Sequence, residues 1–277
     1  MVGDLVLTGL RRYPVKSCRG EELASAEVEP WGLTGDRRWM VVDPSGEVVT
    51  AREVNRLVLV TPEITATGLR LSAPQLPTID VDRPEDGSLV PVEIWDDRLE
   101  ARLADPAAAE WFSLAGRRPL RLVYLDDPRR RPLPPEYSAP GEVVNLADGF
   151  PLLLAVEESL DQLNRWIADG PRPEVGPLPM TRFRPNLVVA DAPAFAEDAW
   201  RRVRVGEVIF RVVKPCERCV LTTIDPDTAA RTKEPLISLA RHRKVGSKTL
   251  FAVNLIPEAP YGSLAVGDVV EVLATDR

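Results

Sequence analysis

The chain has one histidine and three cysteines in 277 residues, and this shortage limits what metal chemistry the side chains alone can support. A metal bound here would have to bring most of its own ligands, because imidazole is nearly absent and thiols are few. Three cysteines, an odd number with Cys216 and Cys219 close together, are also a poor disulfide framework. No apolar run approaches the roughly 18–20 residues of a membrane span. Positive charge is outnumbered, with 35 Lys and Arg against 42 Asp and Glu and a net charge of −7. That balance argues against a nucleic-acid polymer as partner and leaves room only for a local basic pocket. The first residues, MVGDLVLTGLRRYPVKS, lack the basic-then-apolar order of a secretory signal. The expectation is a cytoplasmic protein with reduced thiols and no membrane contact.

Proline, by contrast, is abundant, and 27 of them favour many short elements over long helices. Short β-rich runs recur at Asp4–Leu10, Ala24–Val28, Arg38–Val42, Leu57–Pro62, Gly68–Ser72 and Val90–Trp95, separated by turn residues. Asp105-Pro106 is an N-cap followed by proline at the first helical position, so a helix is predicted through AAAEWFSLAG. Arg121–Leu125 reads as a strand. The segment 126–142, DDPRRRPLPPEYSAPGE, reads as an exposed loop or linker. Val156, Leu160, Leu163 and Ile167 then share one helical face that ends at Gly170. LVVA (187–190), EVIFRVV (207–213) and CVLTTID (219–225) read as strands, EPLISLARHRK as a short helix, and TLFAVNLI and GDVVEVLA as closing strands. Strand and helix alternate too irregularly for a doubly wound sheet. A mainly β, α+β chain containing a barrel is expected.

The chemistry concentrates in KPCERCVLTTID, 214–225. A redox C-x-x-C sits at a helix N-terminus, whereas Cys219 here opens a β-branched run. Cys18, Cys216, Cys219 and His242 together number the four ligands of a structural zinc, but their spacing fits no familiar zinc pattern. Both thiols as small buried residues is a plain alternative. The remaining reading is a single functional thiolate at Cys219, favoured by adjacent Arg218 and nearby Lys214, serving as a soft metal ligand or a nucleophile.

Five collinear blocks, YPVKSCRG (13–20), LTGDRRWMVVD (33–43), TARE (50–53), TRFRPNLVV (181–189) and PCERCVLTTIDPDT (215–228), resemble the MOSC proteins, named for the molybdenum cofactor sulfurase C-terminal domain. The likeness is to members of the amidoxime-reducing type. It implies a MOSC β-barrel plus a smaller N-terminal β-domain, divided as 1–122 and 123–277, with residues 1–43 bordering the pocket of the second domain. It also implies a molybdenum–molybdopterin cofactor whose metal takes one protein thiolate, which maps to Cys219. Cofactor contacts carry over to Lys16, Ser17, Arg37, Arg182, Arg184, Asn186 and Arg218. The block ADGFP (147–151) departs from the hydroxyl-rich segment of the relatives, which leaves Asp148, Gly149 and Phe150 as candidate contacts. A pterin cofactor ends in a phosphate, which suits arginine forks and a lysine point charge. Cys216 and Cys18 are expected to be packed neighbours, and Asp225 a turn residue.

The implied activity is reduction of N-hydroxylated compounds: amidoximes, hydroxylamines or N-hydroxylated bases. Some bacterial relatives carry a ferredoxin domain, and no cysteine follows Cys219 here, so a separate ferredoxin- or cytochrome b5-like donor is expected. The basic PRRRP stretch, 128–132, offers itself as a docking loop for such a donor or as a solvated loop. Alternatives are a sulfur carrier using a Cys219 persulfide, and a non-catalytic cofactor storage module.

Overall fold

The computed structural model describes residues 5–276, so Asp4 of the first expected strand lies outside them. Seven strands close into a barrel. Leu5–Arg12 pairs with Val269–Thr275, followed in order by Trp200–Val205, Val208–Glu217, Lys248–Glu258, Leu152–Val156 and Leu187–Ala190, which returns to Leu5–Arg12. Every pair is antiparallel except Leu152–Val156 with Leu187–Ala190, and a parallel pair needs a crossover. Helix α1 (Pro106–Gly116) belongs to the N-terminal part. Helix α2 (Glu157–Ala168) supplies the crossover. Leu152–Val156 is buried along its whole length because it is covered on both sides. Leu152, Leu154 and Val156 face the barrel core, while Leu153 and Ala155 pack against Leu163 and Ile167 of α2 and Leu239 of α3 (Leu236–His242).

The N-terminal part holds a four-stranded sheet, ordered Trp39–Val42, Arg121–Tyr124, Asp97–Leu103 and Leu89–Ile94, and a meander of Thr61–Ile64, Gly68–Ala73 and Leu76–Asp82. Asp105 caps α1 as its sequence predicts, accepting from Ala107 N at 2.8 Å. The core between these elements also takes in Val15, Cys18 and Ile224 from outside the 39–124 stretch. The result, among the described residues, is a mainly β protein, with a closed seven-strand barrel, additional sheets and three helices. Among the described residues, no helix is long and apolar enough to cross a membrane.

Two expected strands take another form. Asn55–Leu59 is a 3-10 helix, and the strand begins only at Thr61. Leu57, Val58 and Val60 are all buried, and such a continuous apolar run carries no period that separates strand from helix. The CVLTTID stretch also turns into a 3-10 helix, Val220–Thr223, with Cys219 as the residue before it. Thr222 and Thr223 donate their hydroxyls to the carbonyls of Cys219 and Val220 at 2.9 and 2.7 Å. These local bonds compete with a strand ladder and win.

Candidate active site

One cleft collects Lys16, Ser17 and Arg37, then Arg52, the 147–150 loop, Arg184 and Asn186, and the thiol turn from Cys216 to Cys219. Backbone bonds explain how distant segments reach it. Lys16 N donates to Trp39 O and Arg37 N to Tyr13 O, both at 2.8 Å, joining the 13–20 and 33–39 segments side by side. Fully buried Asp36 accepts Tyr13 N at 2.8 Å and Arg37 Nη1 at 2.6 Å. Asn186 Oδ1 accepts Arg37 Nη1 at 2.9 Å and Leu153 N at 3.2 Å, and its Nδ2 donates to Arg11 O at 3.1 Å. Asn186 therefore ties three barrel strands to Arg37, a positioning task more than a free contact.

Backbone strain gathers here. Ser17, Arg37 and Arg184 adopt φ of 69°, 44° and 57°, as does Trp95 at 55°. Left-handed conformations in residues with a Cβ are costly and cluster at functional sites. Gly32 serves the same region by its absence of side chain. A Cβ there would sit 2.8 Å from Pro151 O, so the 147–151 loop packs directly on its backbone.

Five cationic side chains line the cleft against two carboxylates, Asp148 and Glu217. The guanidinium groups of Arg37 and Arg184 lie 4.4 and 4.2 Å from the Tyr13 ring centre. Burial lowers the pKa of Arg184, and repulsion from Arg37 adds to it. Burial likewise pushes Lys16 down to about 8, partly countered by Asp148. Asp148 bonds to Lys16 Nζ and accepts Arg52 Nη2 at 2.7 Å. Burial acts to raise its carboxyl, but the two cations prevail and hold it well below the usual range. Its side chain is 56% exposed, so water screens part of that effect.

The two thiols have separate partners. Arg52 Nε donates to Cys219 Sγ at 3.2 Å, and Arg218 Nη1 donates to Cys216 Sγ at 3.0 Å. The adjacent Arg218 thus serves the other cysteine, and the cation on Cys219 comes from the TARE block. Consecutive side chains on an extended backbone point apart, so neighbours in sequence need not meet. Arg52 also lies 4.3 Å from the Trp95 ring centre, which fixes its plane. All three cysteines are free thiols.

Of the residues expected at a site, Lys16, Ser17, Arg37, Asp148, Gly149, Phe150, Arg184, Asn186, Arg218 and Cys219 share this cleft. Arg182 does not. It is buried, pairs with Asp225 at 2.9 Å, and lines a neighbouring cleft of about 350 Å3 that meets the first at Arg184. Asp225 accepts from Asp227 N, Thr228 N and Thr228 Oγ1, the pattern of a turn residue. The zinc quartet is not assembled: Cys18 is buried in the N-terminal core and His242 stacks on Trp166 at 4.3 Å. No cluster of three or more metal-ligating side chains forms among the described residues.

In the PRRRP stretch Arg129 is exposed, as a solvated loop requires, and Arg131 is the residue that needs correction. Arg129 and Arg130 are matched to Asp127 and Asp126. Arg131 is buried and donates to the carbonyls of Asn145 and Ala147 at 2.7 and 2.6 Å, holding the 147–150 loop from behind. It is neither solvated nor free to dock a partner. Sequence reasoning missed Arg131 and Arg52. For Arg131 no local signal separates it from its two neighbours; for Arg52 the TARE block was the signal.

Comparison with known proteins bears on this arrangement. Residues 5–115 match the MOSC N-terminal beta barrel domain and residues 141–271 the MOSC domain. The chain is 33% identical to human mitochondrial amidoxime-reducing component 1, over 94% of this chain and 81% of the relative. It is 34% identical to rat mitochondrial amidoxime reducing component 2, over 92% and 80%. It is also 30% identical to rice molybdenum cofactor sulfurase, over 92% of this chain but 33% of that longer protein.

Proposed function

Because the chain belongs to the MOSC family, we propose that its Cys219 cleft holds a molybdenum–molybdopterin cofactor and that the protein reduces N-hydroxylated compounds. Amidoximes, hydroxylamines and N-hydroxylated bases are the substrate class, and the electrons come from a separate ferredoxin- or cytochrome b5-like protein. One observation carries the reading: a thiol held by a guanidinium in a cation-rich cleft of an acidic protein, with no set of side chains able to bind a metal alone among the described residues. The donor set fits an anionic group that arrives with its own metal ligands. Arg218 Nε is buried at the cleft with no partner, a donor such a group would satisfy.

Cys219 would ligate the metal, while Lys16, Arg37, Arg184 and Arg218 would receive the anionic end and Ser17 would add a hydroxyl. When bound, the cofactor supplies two-electron redox chemistry at oxygen. The protein's residues bind and orient. Asn186 and Asp36 fix Arg37, Arg131 fixes the 147–150 loop, and Asp148 braces Lys16 against Arg52. Reducing an N–OH group to N–H and water consumes two electrons and two protons, so the cleft must admit protons as well as substrate.

The test is composition. Purified from a host that makes the cofactor, the protein is expected to carry near-stoichiometric molybdenum and pterin, retained in Cys216→Ser and lost in Cys219→Ser. With reduced viologen it is expected to reduce benzamidoxime. A second reading, a Cys219 persulfide carrier, is favoured by the partly exposed thiol and by the sulfurase relative. Metal-free protein bearing cyanide-releasable sulfur on Cys219 decides for that carrier. Bound molybdenum without turnover decides for a storage module.

A further inference from the structure

Residues 231–248 carry six cations and a single carboxylate, in a chain whose net charge is −7. That carboxylate, Glu234, is fully buried and accepts Ser238 N at 3.1 Å, so it presents no negative charge at the surface. Arg243 is matched to Asp198, and Lys248 lies 3.7 Å from Glu217. Arg231, Lys233, Arg241 and Lys244 are exposed and form no ion pair among the described residues. Elsewhere, arginines of the barrel wall are neutralised locally: Arg202 by Glu258, Arg204 by Glu271 and Arg211 by Glu142. Unbalanced positive charge is therefore concentrated on one lobe made of α3 and the hairpin after it. Val245, 64% exposed at the hairpin, adds an apolar contact among the cations.

This lobe is bonded to the thiol turn. Arg218 N donates to Thr249 O at 2.8 Å, and Thr249 Oγ1 donates back to Arg218 O at 3.3 Å. Thr232 N donates to Thr223 O at 2.9 Å. A partner seated on the hairpin would thus lie a few bonds from Cys219.

We infer that the 231–248 lobe is the docking surface for a small acidic one-electron carrier protein. The inference rests on the reductase reading above, which requires an external source of electrons. Complementary charge steers encounter and raises association rates by roughly 10–1000-fold, and redox encounters use small interfaces that a single lobe can supply.

The test uses the holoprotein, the triple variant Lys233→Glu/Arg241→Glu/Lys244→Glu, and Arg98→Glu as a remote charge control. The probe is a plant-type [2Fe–2S] ferredoxin with a strongly acidic surface. Its binding, measured by surface plasmon resonance without turnover, is expected to weaken with added salt and to fall about tenfold or more in the triple variant. Arg98→Glu is expected to bind as wild type does. With reduced ferredoxin as donor, KM for ferredoxin rises in the triple variant while kcat stays within about twofold. With reduced viologen, both proteins reduce benzamidoxime equally. Loss of viologen activity in wild type would sink the reductase reading, and the binding arm would still decide the docking surface. Equal ferredoxin affinity in wild type and triple variant overturns the inference, as does binding of DNA or anionic vesicles in preference to ferredoxin.

Discussion

At the scale of single residues, the cleft works by pairing each thiol with a different guanidinium and each guanidinium with a fixed plane. Arg52 donates to Cys219 Sγ at 3.2 Å and to Asp148 at 2.7 Å while its plane lies on Trp95. A cation so close to a sulfur attracts anionic reagents to it. In metal-free protein carrying Cys216→Ser, Cys219 is expected to prefer iodoacetate over iodoacetamide more than a free thiol does. Arg52→Leu is expected to cut that preference about fivefold, the equivalent of the roughly 1 kcal/mol between charges about 4 Å apart when water screens them fully. Arg52→Lys keeps the charge and should restore much of it. An unchanged ratio in Arg52→Leu means the Arg52–Cys219 contact is not kept in solution. The sequence pointed to Cys219 itself, and to most of its cationic surroundings, through short blocks whose order survives. It misassigned the cation on the sulfur, because Arg52 lies 167 positions away in the chain and meets Cys219 only after the fold is complete.

At the scale of elements, caps and helical periodicity located the helices α1, α2 and α3 within about two residues, whereas alternation and turn residues located only about half of the strands. The two expected strands that fail, at Leu57–Leu59 and Val220–Thr223, are short apolar or β-branched stretches where local hydroxyl and turn bonds decide the form. The strands Leu76–Asp82, Asp97–Leu103, Leu152–Val156 and Trp200–Val205 were not anticipated at all. One junction between elements escaped notice altogether. Glu197, in the 3-10 turn Ala196–Ala199, is fully buried against α2, where Ser159 Oγ donates to its Oε2 at 2.9 Å and Oε1 has no partner. Burial raises its carboxyl to about 7. An unfolded chain releases that proton near the ordinary glutamate value, so between there and about 7 the folded state binds more protons, and stability falls as pH rises. Glu197→Gln removes this dependence. Urea unfolding should show the variant gaining roughly 2–3 kcal/mol on wild type between pH 4.5 and pH 8, the free-energy equivalent of such a shift. Parallel pH profiles for the two proteins would refute a buried, neutralised Glu197.

At the scale of the whole molecule, the chain does not divide where its sequence changes character. Leu5–Arg12 is a barrel strand, inserted between Leu187–Ala190 and Val269–Thr275, while Trp39–Val42, reached through three short strands between Glu21 and Leu33, belongs to the four-stranded sheet of the N-terminal part. Val15, Cys18 and Ile224 complete the N-terminal core, and Lys16, Arg37 and Arg52 complete the cleft around Cys219. A periodic pattern can mark Leu5–Arg12 as a strand, but pairing across 180 residues leaves no local trace. The interlock makes a firm expectation for fragments. A chain of residues 123–277 contains the thiol turn and six of the seven barrel strands, yet it leaves two strand edges unpaired and strips the partners of Leu7 and Leu10, both essentially buried. Losing even one such leucine to alanine costs about 2–5 kcal/mol, comparable with a large part of a domain's net stability. The fragment is therefore expected to aggregate or to lack near-UV circular dichroism, whereas residues 5–276 unfold in one cooperative transition followed by tryptophan fluorescence and by far-UV signal alike. A soluble 123–277 fragment with native-like near-UV signal, or two separate transitions in the full chain, would show that barrel and N-terminal part are independent after all.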